Sequence, residues 1–228
     1  MKSLHPVPTC IGIILDGNRR WAKERGLPSF EGHSRGFENV EPILLAARDF
    51  GIRHVVVYAF STENWGRSKK EVAHLMKIFE TLAKKKLWRQ HSERVAVRFV
   101  GQRERLSKRL QRAMRLAEAG SSRDPRITLW WCLSYGGRAD IVQAAQKASR
   151  KKEKITEISL SKHLWTRGMP DPDLIIRPGG EQRLSNFLLW QVVYSELFFT
   201  KTYWPAFTIK DLNAVLKEYY ARERRMGK

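Results

Sequence analysis

Short apolar runs alternate with amphipathic stretches along most of the chain. The runs Cys10–Leu15, His54–Phe60, Val95–Val100, Ile127–Leu133, Asp173–Arg177 and Leu197–Phe199 predict strands. Helical spacing of apolar residues predicts helices over Arg19–Arg25, Gly36–Asp49, Lys69–Trp88, Arg103–Glu118, Arg138–Arg150 and Ile209–Arg224. Strand–helix alternation at this spacing predicts an α/β fold, a mostly parallel six-stranded sheet with helices on both faces. Along Ile127–Leu133 the faces alternate, so Leu129, Trp131 and Leu133 point one way. Gly120 to Pro125 is a turn cluster, and no linker-like break divides the chain, so residues 1–228 are read as a single domain. In such folds ligands sit beyond the carboxyl ends of the strands.

The first strand runs straight into Asp16-Gly17-Asn18-Arg19-Arg20-Trp21. An apolar strand, a glycine turn and a helix start leave free N–H groups pointing outward, which suits an anion. Asp16 fits beside a bound phosphate if a divalent cation lies between the two. The same segment also reads as a helix cap followed by surface arginines. The second strand ends in Phe60-Ser61-Thr62-Glu63-Asn64-Trp65-Gly66-Arg67, which reads equally as polar chemistry or as a capped helix start. The fifth opens into a Gly179-Gly180 turn flanked by Arg177 and Arg183, with Ser185 just beyond. Guanidinium forks match phosphate oxygens, and glycines let the backbone approach closely. Glu196 precedes the sixth strand and is a second carboxylate expected to meet Asp16 across strand ends.

Composition narrows the partners. Hydrophobic residues make up 42% of the chain, enough for a real core. No run of about 18 apolar residues exists, and the first residues lack the apolar stretch of a signal peptide, so a cytoplasmic location is expected. Cys10 and Cys132 sit in apolar runs and read as buried reduced thiols. The net charge of +20 fits nucleic acid, an anionic membrane or phosphorylated substrates. Much of it lies in runs such as Lys84-Lys85-Lys86 and Arg150-Lys151-Lys152, as on a solvated helix face.

These segments resemble the cis-prenyltransferase family, which includes undecaprenyl diphosphate synthase. The resemblance rests on Leu15 to Asn18, Arg20 to Lys23, Gly32-His33, Tyr58 to Trp65, Tyr135 to Arg138, Arg177 to Trp190, Trp204-Pro205 and the Arg-Glu-Arg-Arg-Met-Gly near the C-terminus. It implies that Asp16 holds Mg²⁺ against an allylic diphosphate cradled by Gly17, Asn18, Arg20 and Arg67. It implies that Arg177, Arg183 and Ser185 bind the second diphosphate and that Glu196 completes the metal shell. His33, Ser61 and Asn64 would assist diphosphate departure or proton removal. Arg225 and Gly227 match a C-terminal motif that reaches a neighbouring subunit's site, which implies a homodimer.

The chain departs from the family's usual pattern at Arg19, usually glycine, and Ser29, usually arginine. Ser134 stands where asparagine is common, and Ala206 where aspartate is. Trp131 and Leu133 stand where long-chain members carry smaller residues on the tunnel wall, and His74 replaces a small residue on the helix opposite. Bulk there predicts a short product of ten or fifteen carbons, with room for irregular coupling of two dimethylallyl diphosphates, as in lavandulyl- and cyclolavandulyl-type members. The alternatives are a long-chain undecaprenyl-type synthase using isopentenyl diphosphate, for which peripheral membrane contact is expected, and a basic nucleic-acid-binding module. The module offers no reason for Asp16 and Glu196, so nucleic acid is not expected as a partner.

Overall fold

The computed structural model describes residues 6–84 and 94–222. Six strands form one sheet: β1 Cys10–Ile14, β2 His54–Ser61, β3 Val95–Val100, β4 Ile127–Tyr135, β5 Leu174–Arg177 and β6 Glu196–Phe199. Their order is β3-β4-β2-β1-β5-β6, and every pairing is parallel. All carboxyl ends therefore point to one edge of the sheet. The central strands are apolar on both faces, as a sheet covered on both sides requires.

Eight helices accompany the strands among the described residues: α1 Asn18–Lys23, α2 Ser29–Glu38, α3 Val40–Asp49, α4 Lys69–Ala83, α5 Lys108–Ala119, α6 Gly137–Arg150, α7 Glu157–His163 and α8 Ile209–Ala221. None is long and apolar enough to cross a membrane. Strand alternation sorts the core into two clusters. Ile11, Val57, Leu129, Trp131 and Leu133 pack with Leu44, Phe79, Leu110 and Leu216 on one face, and Ile14, Tyr58, Cys132 and Ile175 pack with Phe187 on the other. Both cysteines are free, and burial pushes their thiols well above the ordinary range, so they stay protonated.

Two expected helices break where tertiary contacts decide. The stretch expected over Gly36–Asp49 is two helices, α2 and α3, parted at Asn39, whose Nδ2 donates to Trp204 O and Phe207 O at 2.8 Å each. Pro42 then falls in the first turn of α3, where its missing N–H costs no helical bond. The helix also begins earlier than expected: Gly32 lets α2 touch the α1 backbone, and Gly36 makes room for the Asn18 side chain. A Cβ on Gly32 would stand 2.0 Å from Asn18 O. The stretch expected from Arg103 is a 3₁₀ turn, then α5 capped by Ser107, whose Oγ accepts from Leu110 N–H at 3.1 Å. Helix α7 was not expected; it is short and starts at a reciprocal cap between Thr156 and Ser159. The ends of the helices expected to reach Trp88 and Arg224 lie outside the described residues.

Candidate active site

A cavity of about 450 Å³ opens beyond the carboxyl ends of β1, β2 and β5. Asp16, Gly17, Asn18, Arg19 and Arg20 line it from the β1–α1 turn. His33 enters from α2, Ser61, Asn64 and Arg67 follow β2, and Arg177, Arg183 and Ser185 follow β5. Twelve sequence-predicted residues thus meet in one place.

The turn at Gly17 is strained for any other residue. Its φ is +92°, and a Cβ there would lie 2.6 Å from the Tyr203 ring. Asp16 sits at the centre of the charge network. Its Oδ2 accepts from Arg177 Nε at 3.1 Å and Nη2 at 2.8 Å, a two-pronged fork. Its Oδ1 accepts from Gly17 N–H at 2.6 Å and Arg20 Nη2 at 3.3 Å. Partial burial pushes the Asp16 carboxyl up, but the Arg177 bonds and charge, the Gly17 N–H and Arg20 outweigh it and hold it below the usual range. Arg177, only 4% exposed, also donates to Ser185 Oγ at 2.9 Å and to Arg183 O. Ser185 stands in the left-handed region at φ +50°. Its carbonyl accepts from Tyr58 OH at 3.2 Å, which ties this loop to β2.

A second network surrounds His33, itself 4% exposed. His33 Nε2 lies 3.0 Å from Glu71 Oε1, which also accepts from Arg67 Nη1 at 3.0 Å. Burial pushes Glu71 up, yet His33 and Arg67 together hold it below its ordinary value, so it is an ionised acceptor. Nε2 must then carry the proton, and Nδ1 is the free acceptor. Burial holds His33 below its ordinary value, Glu71 opposes this in part, and the charges of Arg67 and His74 add to it. Since the unfolded histidine binds its proton more readily, His33 contributes stability that is present above pH ~6.5 and lost as pH falls through its folded value. His54 is shifted the same way by burial and Arg53. Denaturant unfolding at stepped pH should therefore show stability falling below pH ~6.5, with a shallower fall in His33→Gln. An unchanged slope would mean that His33 is charged in the fold.

Ser61 and Asn64 line the cavity and also form a reciprocal cap on the 3₁₀ turn Thr62–Gly66; Asn64 Oδ1 accepts from Ser61 N–H at 3.1 Å. The capped-turn reading of this segment therefore holds, with both residues also at the cavity. Glu63 is drawn off to Asn186 Nδ2 at 2.8 Å. Among the cavity arginines, Arg20, Arg67, Arg177 and Arg183 each pair with a carboxylate, while Arg19 makes no ion pair with any described residue.

Several expected residues lie elsewhere. Glu196 does not meet Asp16 within one chain. It begins β6, opposite Leu174 in register, while Arg177 at the other end of β5 holds Asp16. Three strand steps separate those levels, about 10 Å. Glu196 instead accepts from Arg222 Nη1 at 2.8 Å. Trp21 faces away from the cavity, under the Arg25 guanidinium, 4.5 Å from its ring centroid. Trp131 and Leu133 do not touch the cavity. Its apolar wall is Phe37 and Leu75, and Trp131 backs Phe37 with ring centroids 6.2 Å apart. His74 does not line the cavity and packs edge-on to Phe30 at 5.5 Å. Arg225 and Gly227 lie outside the described residues.

Sequence reading missed Glu71 and Glu181 in the site, as well as Tyr58, Phe37 and Leu75. Glu71 carried one signal, its i+4 spacing from Arg67 at a helix start.

A parallel α/β sheet with an arginine-lined cavity at its carboxyl edge defines an enzyme class that handles phosphorylated substrates. Residues 14–227 match the family model "Putative undecaprenyl diphosphate synthase". The isoprenyl transferase of Neisseria gonorrhoeae is 42% identical over 223 residues, spanning 97% of this chain and 90% of that protein. The isoprenyl transferase of Aquifex aeolicus is 42% identical over 223 residues, spanning 97% and 96%. Among solved structures, lavandulyl diphosphate synthase from Lavandula x intermedia in complex with dimethylallyl diphosphate superposes with a TM-score of 0.93, at 36% identity over 97% of this chain and 99% of that one. A "probable undecaprenyl diphosphate synthase" from Campylobacter jejuni gives a TM-score of 0.83, at 28% identity over 98% and 100%. The chain belongs to this prenyltransferase family and is an enzyme of the cis-isoprenyl diphosphate synthase type.

Enzymes of the family generally depend on Mg²⁺. Among the described residues no group of three or more His, Cys, Asp or Glu stands ready to hold a metal. Asp16 still fits the ion: it is ionised and faces the cavity, and Mg²⁺ is commonly held by one or two carboxylates together with substrate phosphates and water.

Proposed function

We propose that the protein condenses isoprenoid diphosphates to a prenyl diphosphate of ten or fifteen carbons. The observation that carries this reading is the apolar side of the cavity, where Phe37 and Leu75 line it and Trp131 stands behind Phe37. About 450 Å³ is the size of a small-ligand pocket and suits a diphosphate with a short tail. The irregular coupling of two dimethylallyl diphosphates draws support from the likeness to the lavandulyl diphosphate synthase fold. The long-chain, undecaprenyl-type reading fits the family model and the isoprenyl transferase relatives equally well.

In this reading the free N–H groups at α1, with Asn18, Arg19, Arg20 and Arg67, take the allylic diphosphate, and Arg177, Arg183 and Ser185 take the second. Bound Mg²⁺ would supply charge neutralisation of the leaving diphosphate. When the allylic carbon–oxygen bond breaks, the electron pair leaves with the diphosphate, and the arginines and N–H groups stabilise the growing charge. The acceptor's double bond attacks the cation, and a proton is then lost. His33, neutral and with Nδ1 free to accept, is suited to take it. Phe37, Leu75 and Ile14 keep water from the cation. The C-terminal Arg225 and Gly227 would act in a homodimer.

Incubation with dimethylallyl diphosphate alone, then with isopentenyl diphosphate added, tests the coupling mode. Product from dimethylallyl diphosphate alone supports irregular coupling. Product only when isopentenyl diphosphate is present supports regular head-to-tail condensation. For the second subsite, Arg183→Ala should raise KM for the acceptor about ten- to a hundredfold, since it removes a charge-assisted contact of about 1.5–3 kcal/mol. Arg177→Ala should do the same and also lower stability, because Arg177 braces Asp16 and Ser185 from a buried position. Equal weakening of both substrates would mean that these arginines serve both subsites.

A further inference from the structure

Glu181 is a carboxylate in the cavity that the chemistry above does not use. It follows Gly179 and Gly180, whose φ angles of +96° and +79° turn the chain in the left-handed region. Their N–H groups donate to Thr202 O at 2.9 Å and Thr200 O at 2.8 Å, which pins the turn to the segment leaving β6. Glu181 is thereby held at the cavity, where its Oε1 accepts from Arg20 Nη1 at 3.2 Å and its Oε2 accepts from Arg183 Nη1.

The other two carboxylates in this network hold buried groups, Asp16 on Arg177 and Glu71 on His33. Glu181 differs. Its side chain is 35% exposed, and the arginines it joins are 40% and 57% exposed. Ion pairs this open are weak and rearrange readily. A carboxylate also offers a guanidinium what a phosphate does, two anionic oxygens on one centre.

We propose that Glu181 is a stand-in anion. In the substrate-free protein it bridges Arg20, on the allylic side, and Arg183, in the second subsite, and the second diphosphate displaces it from Arg183. This rests on placing the second diphosphate at Arg183. Glu181 is a positioning residue: it holds two like charges from separate elements aimed at one point before substrate arrives. Its charge then opposes the bound diphosphate and favours release once the reaction is over.

The test is calorimetric binding of inorganic pyrophosphate, without Mg²⁺, to wild type, Glu181→Gln, Glu181→Ala and Arg183→Ala. Arg183→Ala should weaken one binding event. Both Glu181 variants should strengthen that same event by about fivefold, the loss of a competitor worth up to about 1 kcal/mol. A residue with only a structural role would weaken it. If both Glu181 variants bind pyrophosphate as wild type does, or more weakly, while Arg183→Ala weakens it, the stand-in is overturned and the subsite stands. If wild type binds no pyrophosphate, or Arg183→Ala binds it unchanged, the subsite assignment falls and the stand-in with it.

Discussion

Asp16→Ala should lower kcat by about a hundredfold or more while leaving a folded protein. The loss corresponds to roughly 3 kcal/mol or more of transition-state stabilisation. Asp16 is the carboxylate at the β1 end that fits a cation beside the diphosphate, and it also fixes Arg177 through a two-pronged contact. Pyrophosphate binding without Mg²⁺ should hold or tighten, because the variant removes negative charge from an arginine-rich cavity. A drop in kcat without a drop in anion affinity is the signature of a group that acts in the transition state. Stability should fall as well, toward the about 3–5 kcal/mol cost of stranding one partner of a buried pair, reduced by cavity water reaching Arg177. Asp16→Asn keeps the shape and shows how much of each effect is charge. Because the folded carboxyl is held below its ordinary value, its stabilising contribution is present above pH ~3.9 and is lost as pH falls through the folded value. Near-native turnover of Asp16→Ala at saturating Mg²⁺ would remove Asp16 from the metal site.

Trp131→Ala and Leu133→Ala should lengthen the product. Trp131 is 2% exposed and packs on Phe37, an apolar residue that lines the cavity. Removing the indole leaves Phe37 free to fall back, and removing Leu133 from the same strand face extends the space. Stability should drop by about 3–5 kcal/mol for the tryptophan and about 2–5 for the leucine. The indole Nε1 is buried without a hydrogen-bond partner among the described residues, so Trp131→Phe should cost less than its volume alone implies. With folding verified, a double variant supplied with excess isopentenyl diphosphate should give longer chains than wild type. The same short product from both would mean that the wall holds without these residues, or that the homoallylic acceptor is not used. A longer allylic starter separates those outcomes.

All six strands were legible, with boundaries within two residues, because apolar runs covered on both faces leave few other readings. Helix boundaries were less so, since Asn39 and Ser107 act through contacts that a periodicity pattern does not carry. Most of the candidate site was legible too, because glycine turns and arginines cluster where strands end. Glu196 shows the limit. It begins its strand, and in an all-parallel sheet that places it at the edge away from Asp16. Trp131 was assigned to the correct strand face, but its contact with the cavity runs through Phe37, which lies far away in sequence. Glu71 and Glu181 were overlooked because each looks like an ordinary surface acid until the arginines around it are placed.

The central claim is the short product, and extension of farnesyl diphosphate by the wild-type enzyme with excess isopentenyl diphosphate tests it most directly. After dephosphorylation, chain lengths are read by mass. If Phe37 and Leu75, backed by Trp131, bound the cavity, farnesyl diphosphate should be excluded or returned unextended, while dimethylallyl diphosphate is converted to products of ten or fifteen carbons. A ladder of long chains from farnesyl diphosphate would contradict it and make the enzyme an undecaprenyl-type synthase.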